Sequence, residues 1–566
     1  MSTNISKQKR NDLINKIKLI KNYIAEAKQD ANTGNLLAYL SELEKEINGK
    51  KYGLVFEEHE EKIDQKLKTH TPVLSEEKDL FIDNGGQMNF LIEGDNLPTI
   101  KLLQKTHKNC IDIIYIDPPY NTGAKDWRYD NDYVDGNDTY RHSKWLSLMK
   151  NRLCECKHLL SDKGLICVTI DDYELPNLWL LMNEVFGEDN CLGVVTIRNN
   201  PKGRMTKRKI SQTHEYAIFF GKTQKSHISK LPVSPEDKSH NYIKDENGNY
   251  FVKVNLRKQG VDSEAIKKDG SIRDRYFPIY YDPQTKEISV SKKLSVEIFP
   301  IDNNGNKRIW RRNQEGVEKL YKNGDLSCSK IGNNYQLHFR FRGGLDGEVP
   351  KSIWYDPKFS ASEYGTNIIN EILGREKFQY PKSLPAVIYA LRCSSSKKNT
   401  IILDFFAGSG TTGHAVMELN KEDGGNRKFI LCTNNENNIC KEITYERIKR
   451  VIAKENYQAS LKYFKVGFVS IDEQLYYEYA DQLLKHIREL VELENGINFE
   501  ENKKVKIILT DTELVDFSGN NSELKKCQKI YLGHDVLVSG VQEKLFKDHE
   551  IEINIIPDYY YKELES

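Results

Sequence analysis

Apolar residues first fall at helical spacing. Leu13, Ile17, Ile20 and Ile24, then Leu36, Leu40, Leu43 and Ile47, sit among lysines and glutamates. A repeat of three to four residues lays an apolar stripe along a helix, so residues from about 10 to 50 are expected to form a helical hairpin parted at Thr33-Gly34. Its apolar faces need cover, from the rest of the chain or from a second copy. From about Asn89 the period changes. NFLIEGDN, IDIIYIDPPY and GLICVTIDD are short apolar runs ending in acidic or turn residues, as strands buried on both faces do. HSKWLSLMKNRLCECKHLL, between the last two, reads as an amphipathic helix. Strand, helix, strand in this order predicts a parallel α/β sheet.

That pattern stops near residue 198. Up to about 350 the chain offers short strand-like runs, loops such as DENGN and DNNGN, and clusters of basic and aromatic residues: KGRMTKRK, RDRYFPIYY, KRIWRR and HFRFRGG. Between Phe378 and Val451 the α/β pattern resumes with TIILDFF, a glycine-rich turn, a helix, the strand KFILCTNNE and a further helix. The tail adds the helix QLLKHIREL and the strands VKIILT, KIYLG and IEINIIP. The expected organisation is therefore an N-terminal helical arm over 1–65, an α/β core in two parts over 66–197 and 351–465, an insert over 198–350, and a small C-terminal α/β appendage over 466–566.

A length of 566 residues agrees with several modules rather than one core. Lys+Arg 84 against Asp+Glu 83 leaves a net charge of +1, so any surface for a polyanion must be local. Ten cysteines are scattered, and Cys154, Cys156 and His158 lack a second ligand pair at zinc-like spacing, which favours reduced core thiols. No apolar run approaches membrane-spanning length, so a cytoplasmic protein is expected.

Two stretches carry the chemistry. In IDPPYNTG a buried strand ends on Asp117, and Pro118 and Pro119 then forbid both a further ladder and a helix before Tyr120. An acid and an aromatic ring are frozen side by side at the lip of a sheet. In DFFAGSGTTG, Gly408, Gly410 and Gly413 fit G-x-G-x-x-G between a strand and a helix, with Glu436 at the end of the next strand, where a ribose-binding acid belongs. A phosphate-binding loop would need lysine after the last glycine, and His414 stands there, which excludes a nucleotide triphosphatase on this turn. A nicotinamide-dependent oxidoreductase fits the glycines but leaves DPPY and the basic insert unexplained. If both strands share one sheet, the acid and ring face whatever the glycine turn holds. A conjugated exocyclic amine is a poor nucleophile. Asp117 and the immobile Pro118 carbonyl would accept its protons while Tyr120 stacks on its ring. A base inside a duplex must first be rotated out, and the basic, aromatic insert suits that task.

IDPPYNTG ahead of DFFAGSGTTG, with a large insert between, resembles the β-group DNA amino-methyltransferases. YGLVFEEHEEKI, FLIEGDNLPTIKLL, YRHSKWLSLMKNRL, GLICVTIDDYE and the tail LGHDVLVSG are similar to the modification subunit of type III restriction-modification systems. The resemblance implies a Rossmann-like, circularly permuted sheet that uses S-adenosylmethionine and needs no metal. It implies transfer to adenine N6 in double-stranded DNA, with cytosine N4 as the alternative. A homodimer, a separate restriction subunit and sequence reading by the insert follow from the same likeness, although a solitary methylase fits the residues too, as does a DNA-binding protein that has lost catalysis.

By the same likeness Asp117, Pro118, Pro119 and Tyr120 form the catalytic loop. Phe406, Ala407, Gly408, Gly410 and Thr411 would surround the methionine part of the cofactor, with Asp404 near its amino group and Glu436 on the ribose. Phe378, Pro381 and Lys382 would clamp it, Lys382 toward its carboxylate, and Asp95 would lie near the adenine. Asp95 also suits a helix N-cap before LPTIKLL. His142 and Trp145 are read as cap and core residues of their helix.

Overall fold

The computed structural model describes residues 5–26, 32–48, 56–129, 132–135, 137–203, 210–232, 242–267, 269–332, 334–342, 347–375, 377–471, 476–500 and 502–561. Ten strands form its main sheet: β1 (His70–Glu76), β2 (Gln87–Glu93), β3 (Ile111–Ile116), β4 (Leu160–Ile170), β5 (Cys191–Ile197), β6 (Glu215–Gly221), β7 (Ile353–Trp354), β8 (Ile401–Asp404), β9 (Lys428–Thr433) and β10 (Ala459–Ser470). They lie in the order β1-β10-β2-β9-β8-β3-β4-β6-β5-β7. The five strands from β2 to β4 run parallel, while β6 runs against both of its neighbours and β1 against β10. β8 and β9 come late in the chain yet lie between β2 and β3, so two distant stretches build one mixed α/β sheet.

The central strands are apolar on both faces because both are covered. Ile113, Ile114 and Ile116 of β3 are buried, as are Leu403 of β8 and Ile430 of β9. The helix Arg141–Lys157 turns Trp145, Met149, Leu153 and Cys156 into the same core. The helix Asn96–Thr106 begins at Asp95, whose carboxylate accepts the Leu97 N–H at 2.9 Å.

The chain divides into two compact units. One comprises Met1–His227, Ile353–Ile388 and Lys398–Ser566; the other comprises Ile228–Ser352 and Tyr389–Lys397. The expected insert boundary at 198 is therefore thirty residues early. EYAIFFG folds as β6 between β4 and β5 and buries Ala217, Ile218, Phe219 and Phe220. The expected boundary at 465 also falls inside a strand, because β10 runs on to Ser470. Beyond it the helix Ile487–Asn495 buries Leu490, Val491 and Leu493 in the main core. Lys462 of β10, itself buried, is paired with Glu76 at 2.9 Å and Glu492 at 2.7 Å, which ties that helix to the sheet. The strands Val505–Ile508, Lys529–Gly533 and Glu552–Ile556 make a separate parallel sheet over a small core of Leu514, Phe517, Ile530 and Phe546. The helices Ile5–Glu26 and Thr33–Asn48 form the N-terminal pair, joined by Lys21 and Glu44 at 2.7 Å, with Leu13, Leu36 and Leu43 about half exposed.

The second unit is built of short antiparallel strands around Trp310, whose indole N–H donates to the Phe277 carbonyl at 2.8 Å. Several of its basic residues are engaged inside the unit. Arg308 meets Asp302 at 2.8 Å, and Arg342 meets Asp245 at 2.5 Å and Asp325 at 3.0 Å. Most of the cluster KGRMTKRK lies outside the described residues. Among the described residues no helix is long and apolar enough to cross a membrane.

Candidate active site

β3 and β8 are parallel neighbours in register, Ile113 beside Ile402 and Ile114 beside Leu403. The DPPY turn and the glycine turn therefore leave the same edge of the sheet, one strand apart. β9 and β2, the next two strands along, lead to Glu436 and Asp95. Four loops singled out by sequence thus follow four consecutive strand ends, where open α/β sheets bind their ligands.

The DPPY turn is held from every side. Thr169 of β4 donates its hydroxyl to Asp117 Oδ1 at 2.7 Å. The indole N–H of Trp145 donates to the Pro119 carbonyl at 2.7 Å, so a residue read as core packing also pins the turn. Asn121, buried at φ +56°, donates to Glu174 Oε1 at 2.5 Å, and His142 Nδ1 meets the same oxygen at 2.5 Å. Among the described residues nothing donates to the Pro118 carbonyl, whereas its neighbour at Pro119 is taken. Trp145→Phe keeps most of the packing but strands the Pro119 carbonyl. We expect a loss of about 1–3 kcal/mol, read as a lower midpoint in urea unfolding.

Tyr120 and Asp117 share a cation. The Tyr120 hydroxyl donates to Glu215 Oε2 at 2.8 Å. Lys382 bonds to that same oxygen at 2.6 Å, to Asp117 Oδ1 at 3.1 Å and to the Tyr120 hydroxyl, with its ammonium 4.6 Å from the Tyr120 ring centroid. Sequence placed Lys382 at a cofactor carboxylate; here its ammonium is engaged by three groups of the DPPY side. Burial opposes its charge, but Asp117 and Glu215 outweigh that and raise its pKa. Burial raises the Asp117 carboxyl as well, with Glu215 adding to the rise and Lys382 and Thr169 offsetting part of it. Phe378, four residues before Lys382, lies against the glycine turn: a Cβ on Gly408 would sit 3.6 Å from its ring. The stretch from Phe378 to Lys382 therefore spans both loops.

The glycine turn has structural reasons for its glycines. Gly410 takes φ +73°, and a Cβ on Gly413 would fall 2.9 Å from Ile448 and 3.0 Å from Leu431, so the helix Thr411–Asp423 can approach the sheet only without a side chain there. Ala407 donates its N–H to the Cys432 carbonyl at 3.0 Å, and Phe406 stays partly buried at the turn. Arg447, missed by sequence reading, is fully buried behind the turn and donates to the Ser409 carbonyl at 3.2 Å and to Thr411 Oγ1 at 2.8 Å. The Thr411 hydroxyl is thus used internally. Burial pushes the Arg447 pKa down to about 9. Asp404, also buried, accepts the Phe406 N–H at 3.0 Å and the Thr412 hydroxyl at 2.5 Å, and burial pushes its pKa up to about 7. Among the described residues no cation pairs with it. Asp95 joins Arg152 at 3.2 Å beside its N-cap bond and keeps its side chain 40% exposed. Glu436 is partly buried in a short turn after β9.

The family of DNA methylases matches residues 111–455, a stretch that holds both turns and everything between them. The chain belongs to the N6/N4 DNA methylase family. Among relatives of this DNA methylase, Type II methyltransferase M.KpnI of Klebsiella pneumoniae is 37% identical over 353 residues, covering 60% of this chain and 79% of the relative. The EcoPI Mod subunit of a type III restriction-modification enzyme from Escherichia phage P1 is 29% identical over 429 residues, 68% of this chain and 65% of that one. The StyLTI Mod subunit of Salmonella typhimurium is 30% identical over 416 residues, 67% and 59%. The methylase thus spans less than two thirds of either Mod subunit. Glu215, Thr169, Trp145 and Arg447 all lie within the family match. Each acts through one side chain that no local pattern marks, and only the lone acid heading the run YAIFF could have flagged Glu215.

Proposed function

We propose that this methylase transfers a methyl group from S-adenosylmethionine to N6 of an adenine rotated out of a specific site in double-stranded DNA. The observation that carries this reading is the adjacency of the two turns, with Phe378 on one and Lys382 on the other. S-adenosylmethionine suits the glycine side on its chemistry. Asp404 is a buried acid lacking a cation among the described residues, and an amino acid's ammonium would supply one. Ala407, Gly408 and Gly410 offer the backbone, and Phe406 and Phe378 the apolar walls, around the methionine part. Asp95 and Glu436 stand at the next strand ends for adenine and ribose, and Thr411 supports the turn from behind. Bound there, the cofactor supplies a methyl carbon on positively charged sulfur.

The chain's own groups act on the amine. Asp117 accepts one of its N–H bonds and the Pro118 carbonyl the other, drawing nitrogen toward tetrahedral geometry while Tyr120 holds the ring. Held by Asp404, Phe378 and the Gly408–Gly410 backbone, the cofactor would supply its methyl carbon to the nitrogen lone pair and keep the C–S electrons on sulfur. The nitrogen then gives up a proton, and a carboxylate held above its ordinary pKa is a ready acceptor. Pro119 fixes the Pro118 carbonyl by denying its own ring any rotation.

The likeness to the Mod subunits supports a place as the modification subunit of a type III system, in the cytoplasm, as a homodimer beside a separate restriction subunit. The second unit, rich in Arg and aromatic residues, is the proposed reader of sequence. Modification-sensitive sequencing of DNA from cells expressing the protein tests the reading. N6-methyladenine at one recurring motif, absent with Asp117→Ala, is the expected result. N4-methylcytosine, or no modified base, would overturn it.

A further inference from the structure

We propose that Lys382 is a positioning residue whose ammonium holds the place of the target amine in the DNA-free protein and withdraws onto Glu215 when the base arrives. The inference rests on the function proposed above. That function gives the amine one hydrogen bond to Asp117 and one to the Pro118 carbonyl, with its base stacked on Tyr120. Lys382 takes the first of these, at 3.1 Å to Asp117 Oδ1, and bonds the Tyr120 hydroxyl with its ammonium 4.6 Å from the ring centroid. Two nitrogens cannot occupy that position together, so the lysine must move before the base can stack.

A place to withdraw to is already built. Glu215, buried at the head of β6, accepts the Lys382 ammonium at 2.6 Å and also fixes the Tyr120 hydroxyl at 2.8 Å. A buried ammonium that loses one carboxylate survives if it keeps another, whereas an unpaired one would be costly. Glu215 therefore lets Lys382 leave Asp117 without leaving the pocket, and it keeps the ring plane fixed throughout. In the DNA-free protein the same cation stands between two carboxylates that would otherwise repel each other in a site sheltered from water.

This arrangement predicts opposite signs for two substitutions. Lys382→Met keeps an apolar stem and removes the occupant. Glu215→Gln keeps an acceptor for Tyr120 but leaves Asp117 as the lysine's one carboxylate partner among these groups, so the occupant is held more firmly. The measurement uses the full chain and two duplexes carrying the motif found by sequencing. One has the target adenine opposite a mismatched base, which lowers the cost of flipping; the other has an abasic target. The abasic duplex has nothing to displace the lysine, so its Kd controls for folding and for phosphate contacts.

The ratio of abasic to adenine Kd is expected to rise about tenfold in Lys382→Met and to fall severalfold in Glu215→Gln, the scale of one charge-assisted hydrogen bond. An unchanged ratio in Lys382→Met overturns the inference, as does a shift of both variants in the same direction, which a merely structural pair would give. A genome methylated on adenine with an unmoved ratio defeats the lysine's role alone. A genome with no modified base defeats the proposed function itself.

Discussion

Asp117→Asn is expected to lower the single-turnover rate of methyl transfer by about 10²–10³-fold, the scale of losing one preorganised polar contact to the reacting group. The side chains have the same shape, so the difference is chemical. An amide keeps one oxygen, which Thr169 holds at 2.7 Å, and it carries no charge to draw the substrate N–H or to take its proton. The amine then keeps the Pro118 carbonyl but loses the carboxylate that draws it out of conjugation and the base for its proton. Folding should not suffer. Burial raises the Asp117 carboxyl above its ordinary pKa, so folding works against its charge, and a neutral replacement relieves that cost. Methyl incorporation under single turnover, beside urea unfolding of both proteins, separates the two. A variant with wild-type rate would remove Asp117 from the chemistry, and one that unfolds early would make the rate uninformative, in which case Asp117→Glu, which keeps the charge and moves it by one methylene, takes its place.

How much of this site could be read in the sequence depends on where its geometry is encoded. Prolines and glycines write backbone constraint locally, so Asp117-Pro118-Pro119 and the Gly408–Gly413 turn announce themselves without any tertiary knowledge. The strands leading to them are equally plain, because burial on both faces leaves unbroken apolar runs in β3, β8 and β9. β6 has the same signature, but it lies after a basic stretch, and that composition drew the boundary at 198 instead of 228. β7 has only two residues, Ile353 and Trp354, too few to show a period. The groups that hold the turns are invisible for a different reason. Thr169, Trp145, Glu174, Glu215 and Arg447 act across 26 to 95 residues of sequence, through single side chains that no local pattern marks. Lys382 was found, but its partner was not, because ion pairing inside one pocket depends on which strands are adjacent and not on what precedes the lysine.

Asp404 gives the second large effect, in the pH dependence of cofactor binding. Burial pushes its pKa up to about 7 from an ordinary 3.8. For folding, the sign follows from proton uptake: the folded chain binds this proton more tightly than the unfolded one. The resulting stabilisation is complete below the unfolded pKa of 3.8 and is lost as pH rises through about 7. Cofactor binding runs the opposite way, since an ammonium needs the carboxylate charged. S-adenosylmethionine affinity should therefore fall about tenfold per unit as pH drops below the Asp404 pKa. It should fall again above about 8, where the ligand's own α-amino group loses its proton, near pKa 7.7–8.0 in water. The optimum between these limits is narrow because the two pKa values nearly meet. Asp404→Asn can keep the Phe406 N–H on its oxygen, and the Thr412 hydroxyl can turn to accept from the amide, so the turn survives while the charge is gone. Calorimetric titration of S-adenosylmethionine from pH 5.5 to 9 should show the acid-side fall in the wild type and a weaker, flat acid side in the variant. If the wild type is equally flat below pH 7, Asp404 does not pair with the cofactor's ammonium, and the donor side of the pocket must be assigned elsewhere.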